Sequence, residues 1–201
     1  MIAKRIFDLV ISIMIIALLL IWLMPILMII IALESKGNPV FIQKRTGHKG
    51  KLFNCLKLRT MVVNDHRDER QSDESDERIT SFGYFLRLTS IDEFPQVINV
   101  LKGEMSLIGP RPHMLSHTEY YSKRIKSYNL RHQMRPGITG YAQVQGWRGA
   151  TKQLEAMEKR VAFDLVYVRK WSLKMDFWIL WRTIGIIITG LFDGIKYRQK
   201  T

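Results

Sequence analysis

At 201 residues the chain is long enough for one domain of ordinary size plus a membrane element, but not for two independent cores. Lys and Arg number 31 against 18 Asp and Glu, giving a formal charge of +13, so polyanions are the partners its surface selects: anionic lipid, nucleotide diphosphates or nucleic acid. Its one cysteine, Cys55, excludes an intramolecular disulfide, and nothing in the chain calls for an oxidising compartment.

The first element is apolar. From Leu9 to Leu33 no residue is charged, and as a helix this run would be roughly 37 Å long, enough to cross a bilayer. It exceeds a secretory core, and no small-x-small cleavage signature follows it. Pro25 removes a backbone donor inside the run and predicts a kink there. Lys4 and Arg5 precede the run while Lys36, Lys44, Arg45 and Lys49 follow it, a symmetry that suits a helix entering one leaflet and returning. A plain single-pass helix fits the residues as well.

The soluble part starts at the turn-rich Glu34–Pro39. Val40–Ile42 reads as a strand, and Gly47–Gly50 as a hairpin turn into a second strand over Leu52–Arg59. Asn64 to Arg78 mixes acids, bases and serines without an apolar face and predicts a loop. Apolar positions return over Phe82–Leu88. Ser90-Ile91-Asp92-Glu93 matches a capping box for a helix running to about Leu101 before Gly103, with Ser90 or Asp92 as the cap. The turn segments Gly109–Pro112 and Met134–Gly140 bracket a predicted helix from about His113 to Leu130. Leu154–Val168 repeats apolar residues at helical spacing, and Phe177–Phe192, rich in Trp and Ile, reads as an interfacial helix or a buried one. The fold class expected is α+β, mostly helical, with a membrane helix over 1–35 kinked at Pro25, a small strand pair, and amphipathic helices around a compact domain over 36–201.

Asp92 and Glu93 are the residues with chemistry to offer. An ionised carboxylate at a helix start is a nucleophile, and a neighbouring Glu can help hold Mg²⁺, a hard ion that neutralises diphosphate charge. Lys57, Arg59, Arg87, Arg111 and Arg135 lie around the pair in sequence, and Arg111 between Pro110 and Pro112 would present its guanidinium with little freedom. His113 and His117 lack the Glu that a zinc-protease helix needs, and the chain has no phosphate-binding glycine loop. Nucleic acid is set aside because no reading helix or aromatic platform accompanies the charge. A membrane-anchored binding protein without catalysis stays open.

Several blocks then form a pattern: Lys4–Asp8, Leu56–Met61, Thr89–Gln96, Asn99–Ser106, Gly109–Pro112 and Arg135–Gly140. Together, in this order and across nearly the whole chain, they resemble the bacterial sugar transferases, monotopic polyprenyl-phosphate phosphoglycosyl transferases. The resemblance implies a re-entrant membrane helix at Pro25 and a catalytic domain on the cytoplasmic face of the bacterial inner membrane. It implies Asp92 as nucleophile on a UDP-sugar, releasing UMP, with undecaprenyl phosphate as acceptor. Glu93 and Asp92 would hold Mg²⁺, and Lys57, Arg59, Arg87, Arg111, Arg135 and Gln143 would bind substrate, with inner-membrane lipid as the further partner and room for a homo-oligomer. Small members often have Ser before the membrane proline where this chain has Met24. The block Gln143–Gly149, with Trp147, resembles larger hexose-1-phosphate members, whose extra N-terminal membrane helices this sequence does not show. UDP-glucose or UDP-galactose is therefore the first expectation, with N-acetylated UDP-sugars next.

Overall fold

A computed structural model describes residues 2–63, 76–149 and 153–198, with backbone alone for 190–198. The elements are α1 (Ile2–Glu34), β1 (Val40–Thr46), β2 (Leu52–Leu58), α2 (Ser81–Thr89), α3 (Gln96–Lys102), β3 (Ser106–Ile108), α4 (Leu115–Ser122), β4 (Gly137–Thr139), α5 (Tyr141–Val144), α6 (Leu154–Lys170) and α7 (Leu173–Arg198). Single 3₁₀ turns lie at His48–Gly50 and Ile91–Glu93, and a longer one at Tyr128–Gln133. The α+β, mostly helical class expected from the sequence is what the chain forms.

α1 is 33 residues of continuous helix, about 50 Å at helical rise, and is long and apolar enough to cross a membrane. Its irregularity is a wide π turn at Ile16–Leu20, closed by the Ile21 N–H on the Ile16 carbonyl. Pro25 itself sits in regular helix. Its ring crowds the carbonyl four residues back, that of Ile21, so the backbone adjusts one turn ahead of the proline rather than at it.

Both ends of α1 grip the same body of the protein. Near the N-terminus, Lys4 makes an ion pair with Asp176 of α7 at 2.9 Å. Asp8 accepts from the Ser106 hydroxyl and the Leu107 amide, and Arg5 donates to the Val100 and Leu101 carbonyls at the end of α3. Near the C-terminus, Leu27 and Ile31 are buried with Leu58 of β2 and Leu86 of α2. Between these contacts Leu18, Leu19, Ile21 and Trp22 are exposed.

β1 and β2 form the expected antiparallel hairpin, in register Val40↔Leu58 to Thr46↔Leu52. A second pairing, β3 with β4 in parallel, was not foreseen, since both strands lie in or beside segments read as turns. Gly109 follows β3 where the chains run so close that a Cβ would sit 2.4 Å from the Arg135 carbonyl, so no larger residue fits. The helix predicted over His113–Leu130 is shorter: α4 stops at Ser122, and Ile125 and Tyr128 turn inward against Tyr121, Met157 and Val161. The main core gathers Phe53, Val100, Ile108, Tyr167 and Ile179 from five elements, with Met105 from the turn between α3 and β3. α7 packs along α2 and leaves Phe177, Trp178, Trp181, Ile184 and Ile188 exposed. The loop expected over Asn64–Arg78 lies outside the described residues up to Ser75; beyond it Ile79 bridges Met61.

Candidate active site

α2 ends at Thr89, whose hydroxyl donates back to the Phe85 and Leu86 carbonyls, and Ser90 then adopts the left-handed conformation at φ 58°. Among the described residues only Lys49 shares this property without being glycine, and strain of this kind is held by surrounding structure, commonly at functional sites. Ser90 thus closes α2 as its C-terminal cap, with its N–H on the Arg87 carbonyl, and is not the N-terminal cap of α3. The 3₁₀ turn Ile91–Glu93 follows, and α3 begins at Gln96, later than the capping box predicts, because Pro95 serves as its entry residue.

This turn lays Asp92 and Glu93 side by side in the protein, 7% and 8% exposed. Asn99 of α3 places their counter-charge: its amide donates to the Asn54 carbonyl and its carbonyl accepts from the Leu56 amide, pinning β2 to α3. Lys57, next in β2, reaches Glu93 Oε1 at 2.7 Å and Asp92 Oδ2 at 3.8 Å. Arg111 closes a fork on Glu93, through Oε2 at 2.9 Å and through Oε1. Glu93 therefore carries both cations, and among the described residues Asp92 keeps one looser ion pair, with Lys57.

The two carboxylates diverge in consequence. Burial pushes Asp92 up to about 6, against the pull of Lys57, Arg111 and Arg87. Burial acts on Glu93 as well, but Arg111 and Lys57 outweigh it and hold Glu93 well below the usual carboxylate range. The helix start invoked from the sequence is not what sets Asp92, since α3 begins only beyond it; desolvation raises its pKa to about 6, which still leaves it largely ionised at neutral pH. Adjacent carboxyls driven apart in this way are the arrangement from which acid–base and nucleophilic roles are built.

The remaining residues singled out in sequence separate into two groups. Arg87 Nε donates to Thr60 Oγ1 at 2.8 Å, and its charge is felt by Asp92. Arg59 turns instead to the end of α1, donating to the Ile31, Ser35 and Lys36 carbonyls. Arg135 donates to the Gly103 carbonyl past the end of α3. Both satisfy helix C-terminal carbonyls, positions where cations are favoured. Gln143 is buried and donates to the Ile138 carbonyl at 3.3 Å, with its own Oε1 unpartnered.

Arg148 was overlooked in the sequence. It donates to Ser90 Oγ at 2.8 Å and feels the charges of Asp92, Glu93 and Arg111. The signal was present: Gly146 and Gly149, at φ 91° and 75°, flank it in a turn that presents a guanidinium much as the prolines present Arg111.

A cation could be held here in one manner. No three ligating side chains converge among the described residues, and both oxygens of Glu93 already accept from Lys57 and Arg111. Asp92 is the carboxylate that fits Mg²⁺, with water and substrate phosphate oxygens supplying the other positions, as this ion prefers.

The sequence model of the family described as bacterial sugar transferase matches residues 1–190, a span holding α1, the carboxylate turn and every cation named above. The chain belongs to that family. Among curated bacterial sugar transferases it is 46% identical to the UDP-glucose:undecaprenyl-phosphate glucose-1-phosphate transferase of Klebsiella pneumoniae, over 92% of this chain and 40% of the relative. To the protein of the same description in Caulobacter vibrioides it is also 46% identical, over 92% of this chain and 70% of the relative. A UDP-N-acetylgalactosamine-undecaprenyl-phosphate N-acetylgalactosaminephosphotransferase of Aeromonas hydrophila is 38% identical, over 81% of this chain and 38% of the relative. This bacterial sugar transferase thus spans less than half the length of some relatives and most of another.

Proposed function

We propose that the protein transfers a sugar-1-phosphate from a UDP-sugar to undecaprenyl phosphate through a phosphosugar carried on Asp92. The observation that carries this reading is the division of labour at the turn: Glu93 takes the cations, leaving Asp92 a lightly paired carboxylate beside Lys57, Arg111 and Arg148. In the first displacement an Asp92 oxygen bonds to the sugar-linked phosphorus, and the bond from that phosphorus to the bridging oxygen breaks, releasing UMP. In the second, an oxygen of undecaprenyl phosphate bonds to the same phosphorus, the bond to Asp92 breaks, and the lipid-linked diphosphosugar leaves. Lys57, Arg111 and Arg148 stabilise the charge that builds on the transferring group. Mg²⁺, when bound, would neutralise diphosphate charge.

The donors for which the relatives are named make UDP-glucose the first to test, with UDP-galactose and UDP-N-acetylgalactosamine after it. Placement at the membrane follows from α1. A spanning helix would carry one end about 30 Å away across the hydrocarbon, whereas both ends of α1 hold the same domain. This supports a re-entrant helix, with the exposed aromatic face of α7 at the interface on the cytoplasmic side of the inner membrane.

Membranes carrying the protein, incubated with a panel of nucleotide-sugars, should release UMP from a UDP-hexose before lipid acceptor is added. Absence of UMP with every donor would leave only the anchored binding protein. The pH profile gives a further expectation. Asp92 must be ionised to attack, and its acidity is weakened to about 6, so kcat/KM for UMP release should fall roughly tenfold per unit as pH drops below about 6 and be flat just above it. A limb near 4 would show a carboxylate not desolvated as described.

A further inference from the structure

The segment that presents Arg111 is unusual in what can hold it. Pro110 and Pro112 have no N–H, so the fold must secure it chiefly through its carbonyls. Four in succession are used: Pro110 accepts from the Gly137 amide at 3.0 Å, Arg111 from Arg131 at 2.8 Å, Pro112 from Arg45 at 2.9 Å and His113 from the Thr46 amide at 3.0 Å. The donor to Arg111 itself is the most constrained of them. Arg131 is 1% exposed, and its Nε and one terminal nitrogen donate to Asp164 of α6 at 3.0 and 2.5 Å. The other terminal nitrogen donates to His113 Nδ1 at 2.7 Å, which also meets the Tyr128 hydroxyl at 2.6 Å. A guanidinium only donates, so Nδ1 accepts and His113 is the neutral Nε2–H tautomer. Burial and the nearby Arg131 push its acidity in the same direction. Every face of Arg131 is thus committed, and its free choice of rotamer is gone.

We propose that Arg131 is a positioning residue: by fixing the Arg111 carbonyl it sets the reach of the Arg111 guanidinium onto Glu93, and so determines which of the adjacent carboxylates is left without strong cation contacts. The bidentate grip on Glu93 requires a planar fork at a defined distance, and a displacement of about 1 Å in such machinery can cost about a hundredfold in rate. Arg131 touches neither carboxylate and acts only through Arg111. Through Asp164 the same residue ties the turn to α6, an element that supplies no residue to the carboxylate contacts.

The proposal rests on the transferase reading only where activity is measured, and its test has an independent arm. In protein labelled with ¹³C at carboxyl carbons, Asp92 and Glu93 are titrated in the original chain, in Arg131→Lys and in Arg131→Gln. Lysine keeps the charge opposite Asp164 but cannot serve Asp164, His113 and the Arg111 carbonyl together. Glu93 is expected to titrate at higher pH in either variant, and kcat/KM for UMP release to fall about 10- to 100-fold with its acid limb displaced upward. Met157→Ala, in the apolar cluster that α6 forms with Tyr121 and Ile125, is expected to destabilise the protein without removing a hydrogen bond to Arg111 or Arg131, and should leave both titrations in place. Whichever Arg131 variant folds decides the matter: unchanged titration of both carboxyls would overturn the positioning role. Loss of UMP release from the unaltered protein, with the titration shifts intact, would instead count against the transferase reading alone.

Discussion

Asp92→Asn is expected to abolish transfer, lowering kcat at least about 10⁴-fold, because the amide lacks the charge and nucleophilicity of the group it replaces. With a UDP-sugar labelled in its β-phosphate, the unaltered chain should retain label on protein after denaturation and the variant none. Stability should move the other way. The folded protein holds the Asp92 proton up to about 6, whereas the unfolded chain releases it near 3.8, so this carboxyl's contribution to stability is full below 3.8 and is lost as pH rises toward 6. Asparagine removes that loss. The variant should therefore melt higher than the original chain at pH 7, with the advantage shrinking below pH 4. An inactive but stabilised protein separates chemistry from folding; an Asp92→Asn variant with substantial UMP release and protein-bound label would place the nucleophile elsewhere.

The second large effect concerns the junction between α1 and α7. Asp176 is fully buried and accepts from Lys4 at 2.9 Å, the Tyr167 hydroxyl at 2.6 Å and the Trp171 indole at 2.9 Å. Asp176→Ala leaves the buried Lys4 ammonium with Asp8 alone at 4.0 Å and takes the acceptor from the Trp171 indole, while the Tyr167 hydroxyl keeps the Ile108 carbonyl; the loss should cost about 3 kcal/mol and lower Tm in detergent by about 10 °C. Replacing both charges, Lys4→Met with Asp176→Leu, should recover part of that loss, since no ammonium is left without its partner and Asp8 keeps the Ser106 hydroxyl and the Leu107 amide as donors. A drop of under about 1 kcal/mol in the single variant would show that water reaches this junction freely.

How far the sequence revealed this site depended on the range of the interaction. Asp92, Glu93 and Arg111 were legible because the chemistry is written locally, in adjacent acids and in an arginine caged by prolines. The helix over Leu154–Val168 declared itself through 3.6-residue periodicity, whereas over Phe82–Leu88 the sequence showed only a return of apolar positions where α2 forms. Arg59 and Arg135 look identical to Arg111 in composition, yet helix ends compete for them; only the packed positions of the α1 and α3 termini reveal which carbonyls each will serve. The β3–β4 pair is three residues against three, across a connection that contains α4, and is too short to alternate. The left-handed turn at Ser90 defeated the capping signature because the Ile91–Glu93 turn is fixed from outside, by Lys57 and Arg111 on Glu93 and Arg148 on Ser90, rather than by its own propensity.

The grip of Lys57 and Arg111 on Glu93 has an implication for what enters. At rest these cations are already answered by an internal anion, tethered at a local concentration no free solute matches. On the proposed transferase reading, a singly charged visitor such as acetate offers nothing that Glu93 does not and would be turned away. A diphosphate brings more charge and more oxygens than one carboxylate, and would compete where simpler ions fail, so that guests would be screened by the strength of the rival they must displace.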